Sequence, residues 1–126
     1  MTVLDASAIL AYAQAEPGSD EVHSLIAQSV CSAVNWSEVA LMSLRKGVSP
    51  AVLRARMEAL GLGIVAFQAE HAEIAADIEA LVRPFGLSLA DRACLATALA
   101  LGRPAVTADR VWATIEGLSV DVRLIR

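Results

Sequence analysis

Four acidic residues stand where a parallel α/β fold would bring them together. Asp5 and Asp109 each follow a short strand-like run, whereas Glu38 and Asp91 lie in the first turns of predicted helices. In an open parallel sheet, positions just beyond the carboxyl ends of the strands converge on one crevice. Unit charges about 4 Å apart repel by about 4 kcal/mol at an effective dielectric constant of 20, so facing acids need a cation or a proton. Mg²⁺ or Mn²⁺, which prefer oxygen ligands, would meet this need.

Each of these acids also has a purely structural interpretation. Asp and Asn are preferred helix caps, and Asp5 and Asp109 are suited to that role. The other two acids lie three residues after a polar residue, the spacing of a capping box, in the pairs Asn35–Glu38 and Ser88–Asp91. Taken singly, each acid fits a cap; as a set of four at sheet-edge positions, they favour a shared metal site. Both interpretations of Asp91 stay open in the sequence.

The elements that must position the acids alternate along the chain. Predicted strands cover residues 2–4, 30–34, 64–67, 105–107 and 120–125. Predicted helices cover residues 6–15, 36–46, 50–60, 69–82, 88–101 and 110–115, and a further helix opens at residue 19. This alternation is typical of parallel βαβ units. With 126 residues, 56% of them hydrophobic, the chain is expected to form one α/β domain over residues 1–126.

Charge and hydropathy limit the partners. The net charge of -4 provides no overall positive field for nucleic acid, so any contact with RNA or DNA must be local. No apolar run is long enough to span a bilayer, and the run at Val3 lacks a basic leader, so we expect a soluble, cytoplasmic protein with no membrane contact. A mean hydropathy of +0.57 with 19% charged residues predicts exposed apolar surface and a homodimer.

The cysteines and histidines are not predicted to carry chemistry. Cys31 and Cys94 lie far apart without CxxC spacing, which favours two reduced, buried thiols over a disulfide or a zinc site. His23 and His71 fall in polar stretches of helices and are predicted to be solvent-exposed. The sequence therefore contains no Ser-His-Asp set.

Four segments carry a family resemblance. VLDASAILA, SAVNWSEVA, SLADRACLATALA and AVTADRVW, which begin at Val3, Ser32, Ser88 and Ala105, resemble in order and spacing the four acidic motifs of PIN-domain ribonucleases, most closely the VapC-type toxins. The resemblance covers essentially the whole chain. It implies a three-layer α/β/α sandwich around a parallel sheet and Mg²⁺-dependent endonucleolytic cleavage of RNA, with Mn²⁺ as the alternative ion.

The resemblance also implies roles for individual residues. Asp5 and Asp91 would be the principal metal ligands, with Glu38 and Asp109 completing the site directly or through water. The small hydroxyl residues Ser7 and Thr107 would orient a carboxylate or a water, although turn and cap roles suit them equally. The partner would be a VapB-type antitoxin that occupies grooves between the first four helices and places a basic residue against the acids. Trp36 is a candidate anchor in those grooves or a core residue.

The expected chemistry is metal-assisted hydrolysis that leaves a 5′-phosphate and a 3′-hydroxyl. Arg92 and Arg110, each next to one of the acids, are candidate contacts to phosphate. A second basic cluster is interpreted as ordinary solvated helix faces, namely Arg45, Lys46, Arg54 and Arg56.

Two other function classes remain. A phosphoacceptor domain would also place an aspartate after the first strand, but a receiver domain needs a lysine after a late strand, and Lys46 is the only lysine. The related phosphatases need a DxD motif, whereas Ser7 stands two residues after Asp5. The other class is a catalytically silent PIN-like module that only binds a partner.

Overall fold

Short apolar runs form a five-stranded, entirely parallel sheet. The computed structural model describes residues 1–126, and the strand order is β3-β2-β1-β4-β5. The strands are β1 Thr2–Leu4, β2 Ser29–Ser32, β3 Gly63–Val65, β4 Ala105–Thr107 and β5 Val122–Leu124. Because β1 and β4 lie inside the sheet, every residue of both strands is buried. The predicted parallel sheet is confirmed.

Helices cover both faces of the sheet. They are α1 Ala6–Ala13, α2 Ser19–Leu25, α3 Ala33–Arg45, α4 Pro50–Ala59, α5 Ala69–Asp77, α6 Glu79–Val82 and α7 Leu89–Leu101. Successive strand residues point to opposite faces, so Val3 packs in one core cluster and Leu4 in the other. Helices α1 to α4 contribute to the cluster around Leu4, and α6 and α7 to the cluster around Val3. The architecture is the predicted three-layer α/β/α sandwich.

Helix α7 has a continuous buried stretch at its middle. Its residues from Ala93 to Ala98 are all buried, in agreement with their apolar sequence. At its first turn, Ser88 and Asp91 form a reciprocal capping box, and Gly102 ends the helix in the left-handed conformation with φ 62°. This helix therefore begins with an acid at the surface and continues into the core.

Several predicted elements differ from the observed ones. The helix predicted over residues 69–82 is divided at Ile78 into α5 and α6, and the segment Arg110–Thr114 is a 3-10 helix. Two further 3-10 turns cover Ile26–Gln28 and Arg83–Phe85. None of the helices combines the length and the apolar character that crossing a membrane requires.

Helix α3 begins earlier than predicted, and the proposed Asn35–Glu38 capping box is wrong. The hydroxyl of Ser32 accepts the backbone N–H of Val34 and caps the helix directly after β2, so Asn35 lies inside the first turn. Asn35 is buried, and its Nδ2 donates to the carbonyl of Ala90 at 3.0 Å. It connects two helices instead of capping one.

The prediction for His71 is also wrong. Its side chain is 8% exposed, and its Nδ1 accepts the backbone N–H of Gln68 at 3.2 Å, which explains its place at the start of α5. His23 is exposed as predicted, and its Nδ1 lies 3.0 Å from the hydroxyl of Tyr12.

Cys31 and Cys94 are both buried and unpaired, and burial raises the pKa of the Cys31 thiol to about 12.

Candidate active site

The four acids line one cleft at the carboxyl ends of the central strands. The cleft has a volume of about 400 Å³. Its lining residues are Asp5, Ala6, Ser7, Leu10, Glu38, Leu41, Met42, Arg45, Asp91 and Asp109. The first acid follows β1, the second is in α3, the third is in α7, and the fourth follows β4. The crossover connections of the parallel sheet thus bring together side chains that are separated by up to 104 positions in the sequence.

Asp5 is the buried centre of this cleft. Its carboxylate is the N-cap of α1, where Oδ1 accepts the backbone N–H of Ala8 at 2.9 Å. The same oxygen accepts the hydroxyl of Ser7 at 2.7 Å, and Oδ2 accepts the hydroxyl of Thr107 at 2.6 Å. Both predicted hydroxyl residues therefore hold the Asp5 carboxylate.

Burial dominates the ionisation of Asp5. Desolvation raises the pKa of this carboxyl from 3.8 to about 6, against the lowering effect of the hydrogen bonds from Thr107, Ser7 and Ala8. The charge of Asp91 raises it further, as a smaller contribution. The expected repulsion between acids is thus present, but removal from water has the larger effect on Asp5.

Asp91 combines the two interpretations that its sequence position left open. Its Oδ2 accepts the backbone N–H of Ser88 at 2.9 Å, and its own N–H donates to the hydroxyl of Ser88 at 3.2 Å. Asp91 is therefore part of a capping box, and it also lines the acidic cleft. A capping carboxylate uses one oxygen, which leaves the other for a ligand.

Glu38 stands at the solvent side of the cleft. Its side chain is exposed, but the cleft wall desolvates the carboxyl enough to raise its pKa, and the charge of Asp91 raises it further. Asn35 lies one turn before Glu38 and donates to Ala90, the neighbour of Asp91. This positioning contact is not predictable from the sequence, where its only signal is a polar residue one turn before an acid.

Asp109 closes the cleft from the side of β4. Its Oδ1 accepts the backbone N–H of Val111 at 3.0 Å, which makes it the N-cap of the following 3-10 helix. Its own N–H donates to the hydroxyl of Thr107 at 3.0 Å. Thr107 therefore links the backbone of Asp109 to the carboxylate of Asp5.

Comparison with known proteins agrees with this geometry. The family model of the PIN domain matches residues 2–118. The chain belongs to the PIN-domain family. No curated protein matches it in sequence.

Solved structures resemble this PIN domain over its full length. A toxin-antitoxin complex from Klebsiella pneumoniae has a TM-score of 0.73 at 22% identity, covering 100% of this chain and 98% of that one. DNA-bound VapBC from Salmonella typhimurium has a TM-score of 0.72 at 17% identity, covering 99% and 98%. FitAcB from Neisseria gonorrhoeae has a TM-score of 0.70 at 23% identity, covering 99% and 98%. At these identities the likeness is one of fold.

The donor set of this PIN domain suits a hard divalent cation. All four ionisable side chains in the cleft that could ligate a metal are carboxylates, and carboxylate oxygen is what Mg²⁺ and Mn²⁺ prefer. The desolvated Asp5 has no cationic partner within salt-bridge distance. No three acid, imidazole or thiol groups lie close enough together to form a ready metal cage. Mg²⁺ keeps several waters when bound, so a spread of carboxylates with room for water fits this ion.

Neither of the two arginines predicted to contact phosphate lines the acidic cleft. Arg92 donates to the carbonyl of Ala75 in α5 at 3.0 Å, so it is engaged beside α5. Arg110 is exposed but does not line the cleft. The cation that does line it is Arg45, which the sequence alone predicts to be a solvated helix residue.

Proposed function

We propose that this PIN domain is a divalent-metal-dependent endoribonuclease, a hydrolase that acts as the VapC-type toxin of a toxin-antitoxin pair. The observation that supports the proposal best is the meeting of four carboxylates in one cleft, with the buried Asp5 held by three hydrogen bonds. A carboxylate removed from water, without a cationic partner, is costly unless a ligand neutralises it. Burial of Asp5 thus favours a site that binds a cation.

In the proposed site, Asp5 and Asp91 hold Mg²⁺ or Mn²⁺, and Glu38 and Asp109 complete the set directly or through water. When bound, such an ion lowers the pKa of a coordinated water and neutralises charge on a phosphate. Ser7 and Thr107 each donate to one oxygen of Asp5, which holds the orientation of this carboxylate. Glu38, which is exposed and has a raised pKa, is suited to accept a proton from the attacking water. The products would carry a 5′-phosphate and a 3′-hydroxyl.

The proposed protein partners are a VapB-type antitoxin and a second copy of this chain, in the cytoplasm. The solved structures that share the fold include toxin-antitoxin complexes, such as the one from Klebsiella pneumoniae. Trp36 supports an antitoxin groove on this chain, because it lines a cleft of about 450 Å³ with Ile64, Arg54 and Glu58. An antitoxin anchored there would lie along α3 and could direct a basic residue toward Glu38.

Two measurements test the nuclease proposal. Purified protein should cut total RNA in the presence of Mg²⁺ and stop when EDTA is added, and the new ends should carry 5′-phosphates. Asp91→Asn should stay folded, because Asn keeps an oxygen for the capping box, and should lose cleavage by 100-fold or more. Asp77→Asn, a change of the same type on an exposed residue outside the cleft, is the matched control and should cut like the wild type.

The same experiment distinguishes the other function classes. Cleavage by Asp91→Asn near the wild-type rate would make Asp91 a cap only. A wild-type protein that binds Mg²⁺ but leaves all RNA intact would support the silent binding module. A phosphoacceptor role suits the chain poorly, because its only lysine, Lys46, does not line the acidic cleft.

A further inference from the structure

A second cavity opens at the opposite end of the sheet from the acidic cleft. It has a volume of about 290 Å³ and lies where Thr2 begins β1 and Pro104 precedes β4. Asp5, the centre of the acidic cleft, directly follows the other end of β1. The two sites therefore share no lining residue. We call the second site the amino-edge cavity, whose lining includes Leu25, Gln28, Arg103, Pro104 and Arg123.

The charged side chains that line the amino-edge cavity are two arginines. Arg103 is exposed and forms none of the four salt bridges of the chain. Arg123 donates through Nε to Asp121 at 3.2 Å, which leaves its two terminal nitrogens for another acceptor. Asp121 does not line the cavity, and neither does any other acid. On a chain with a net charge of -4, this cavity therefore carries local positive charge.

The fold fixes the backbone from which each arginine projects. Gly102 ends α7 in the left-handed conformation, and the backbone N–H of Arg103 donates to the carbonyl of Ala98 at 3.0 Å. Arg123 lies inside β5, in register with Val106 of the buried strand β4. Both guanidiniums thus start from ordered backbone on either side of one cavity.

Two guanidiniums at one cavity favour a terminal phosphate as the ligand. Each guanidinium donates two parallel hydrogen bonds to an anion that offers two oxygens. A terminal phosphate offers three oxygens and a charge between about -1.5 and -2, so it can face both arginines at once. A carboxylate has two oxygens and a single charge, and one arginine is enough for it.

The rest of the lining suits the body of a nucleotide. The cavity is larger than a bare phosphate and lies near the lower end of the size range of small-molecule sites, roughly 300 Å³. Leu25 and Pro104 provide apolar surface for the face of a base. The exposed amide of Gln28 offers one donor and one acceptor, the combination that matches the edge of adenine.

We propose that the amino-edge cavity binds a nucleoside monophosphate. Its phosphate lies between Arg103 and Arg123, and its base packs on Leu25 and Pro104 within reach of Gln28. No acid, imidazole or thiol lines the cavity, so the site holds its ligand without transforming it. This binding site does not depend on the proposed nuclease function, because it uses none of the residues of the acidic cleft.

A nuclear magnetic resonance titration with adenosine 5′-monophosphate tests the site. Metal is first removed with a chelating resin, in phosphate-free buffer, so that no ion can hold the phosphate at the acids. The backbone amide signals of Gln28 and Arg103 should shift in a saturable way, and those of Ser7 and Asp109 should not move. Arg103→Gln and Arg123→Gln should each weaken the affinity about tenfold or more.

Arg83→Gln is the matched control. Arg83 is an exposed arginine that is paired with Glu79 and does not line the cavity. The affinity of this variant for adenosine 5′-monophosphate should equal that of the wild type. Arg103 and Arg123 are exposed as well, so the melting temperatures of all three variants should agree with the wild type and show that each is folded.

Two partial ligands test the two halves of the assignment. Ribose 5-phosphate lacks the base and adenosine lacks the phosphate, so each should bind about tenfold more weakly than the complete nucleotide. Equal affinity of ribose 5-phosphate would overturn the contact with the base, and equal affinity of adenosine would overturn the contact with the arginines. Tighter binding of a 5′-phosphorylated dinucleotide would overturn the mononucleotide in favour of the end of an RNA strand.

The titration also separates this site from the nuclease proposal. No saturable shift with millimolar adenosine 5′-monophosphate, or shifts confined to the acidic cleft, would overturn the amino-edge site whether or not the protein cuts RNA. A protein that cuts no RNA but shows the expected shifts at Gln28 and Arg103 would support the amino-edge site and contradict the nuclease proposal alone.

Discussion

Asp5 shows how one residue can be costly for stability and suited to function. It is 4% exposed, and burial has a larger effect on its pKa than its three hydrogen bonds have in the opposite direction. An aspartate used only as a helix cap is most stable at the surface, where water also solvates its charge. In the proposed site, a metal ion would supply the missing positive charge.

The raised pKa of Asp5 predicts the pH dependence of stability in the metal-free protein. Between about pH 4 and pH 6, the folded chain holds a proton on Asp5 that the unfolded chain has lost. The stabilisation from this group is complete below pH 3.8 and disappears as the pH rises through about 6. The free energy of unfolding should therefore fall by about 3 kcal/mol across this window from Asp5 alone.

Asp5→Asn isolates this contribution, because Asn has no charge to desolvate. Urea unfolding in EDTA at several pH values between 3.5 and 7.5 should show the variant gaining stability relative to the wild type as the pH rises. The other titrating groups are common to both proteins and cancel in the difference. If the free energies of unfolding of the two proteins changed in parallel with pH, the raised pKa of the buried Asp5 would be contradicted.

For single residues, the sequence predicted the place in the fold better than it predicted the groups that each side chain contacts. Asp5 and Asp109 could be found because acidic residues after short apolar strands mark the carboxyl edge of a parallel sheet, whereas Thr107 was indicated only by the family resemblance. The surroundings of Arg92 and Arg45 could not be read from the sequence, because a long, flexible side chain can turn toward a neighbouring helix or into a cleft. His71 was misjudged because local polarity does not reveal a cap that buries an imidazole.

Among the elements, the pair α3 and α7 decides where two of the four acids lie. Asn35 in α3 donates to the carbonyl of Ala90 in α7. Ala90 directly precedes Asp91, and Asn35 lies one turn before Glu38. Asn35 is 1% exposed, and its Oδ1 has no hydrogen-bond partner. A buried polar atom without a partner costs stability, so the residue is not an optimal choice for packing alone.

We predict that Asn35→Ala affects activity more than stability. The lost hydrogen bond should lower the free energy of unfolding by about 1 kcal/mol, and the unpartnered Oδ1 disappears with it. RNA cleavage should fall tenfold or more, because α3 and α7 are no longer held in register and the acids they carry move apart. The rise in melting temperature caused by Mg²⁺ should also become smaller.

Ser37→Ala is the control for this prediction. Ser37 is an exposed α3 residue whose hydroxyl donates only to the carbonyl of Val34 in its own helix. Its cleavage rate and its thermal shift with Mg²⁺ should match those of the wild type. If Asn35→Ala lost stability but kept the wild-type cleavage rate and thermal shift with Mg²⁺, Asn35 would be a packing residue with no part in positioning the acids.

The errors at element boundaries have local causes. Ser32 caps α3 directly after β2, so no loop separates the strand from the helix, and a boundary placed at Asn35 was three residues late. The helical periodicity of Ile74, Ile78 and Leu81 continues across the junction of α5 and α6, so apolar spacing alone gave no sign of the break at Ile78. The number of strands and the alternation of strands with helices were predictable, because each strand is a short apolar run between polar turns.

For the whole molecule, packing is retained across large differences in sequence. Structures with 17% to 23% identity superpose on the chain with TM-scores from 0.70 to 0.73. What they share with this chain is its fold, which here is a parallel sheet between two helical layers. The carboxyl edge of this sheet is where the acids of this chain meet, and the same region carries exposed apolar side chains. Leu89 lies two residues before Asp91, and Val111 two residues after Asp109.

These apolar side chains predict a homodimer next to the cleft. Leu89 is 55% exposed in the isolated chain, and burial of such side chains against a second copy removes apolar surface from water. Light scattering after size exclusion at tens of micromolar should give twice the 13.2 kDa mass of one chain. The double variant Leu89→Ser and Val111→Ser should be monomeric at the same concentration.

Leu44→Ser is the control for this prediction. It changes a side chain that is 62% exposed on α3 and should stay dimeric. Dissociation by Leu44→Ser alone would move the interface to α3, and a monomeric wild type at high micromolar concentration would contradict the dimer.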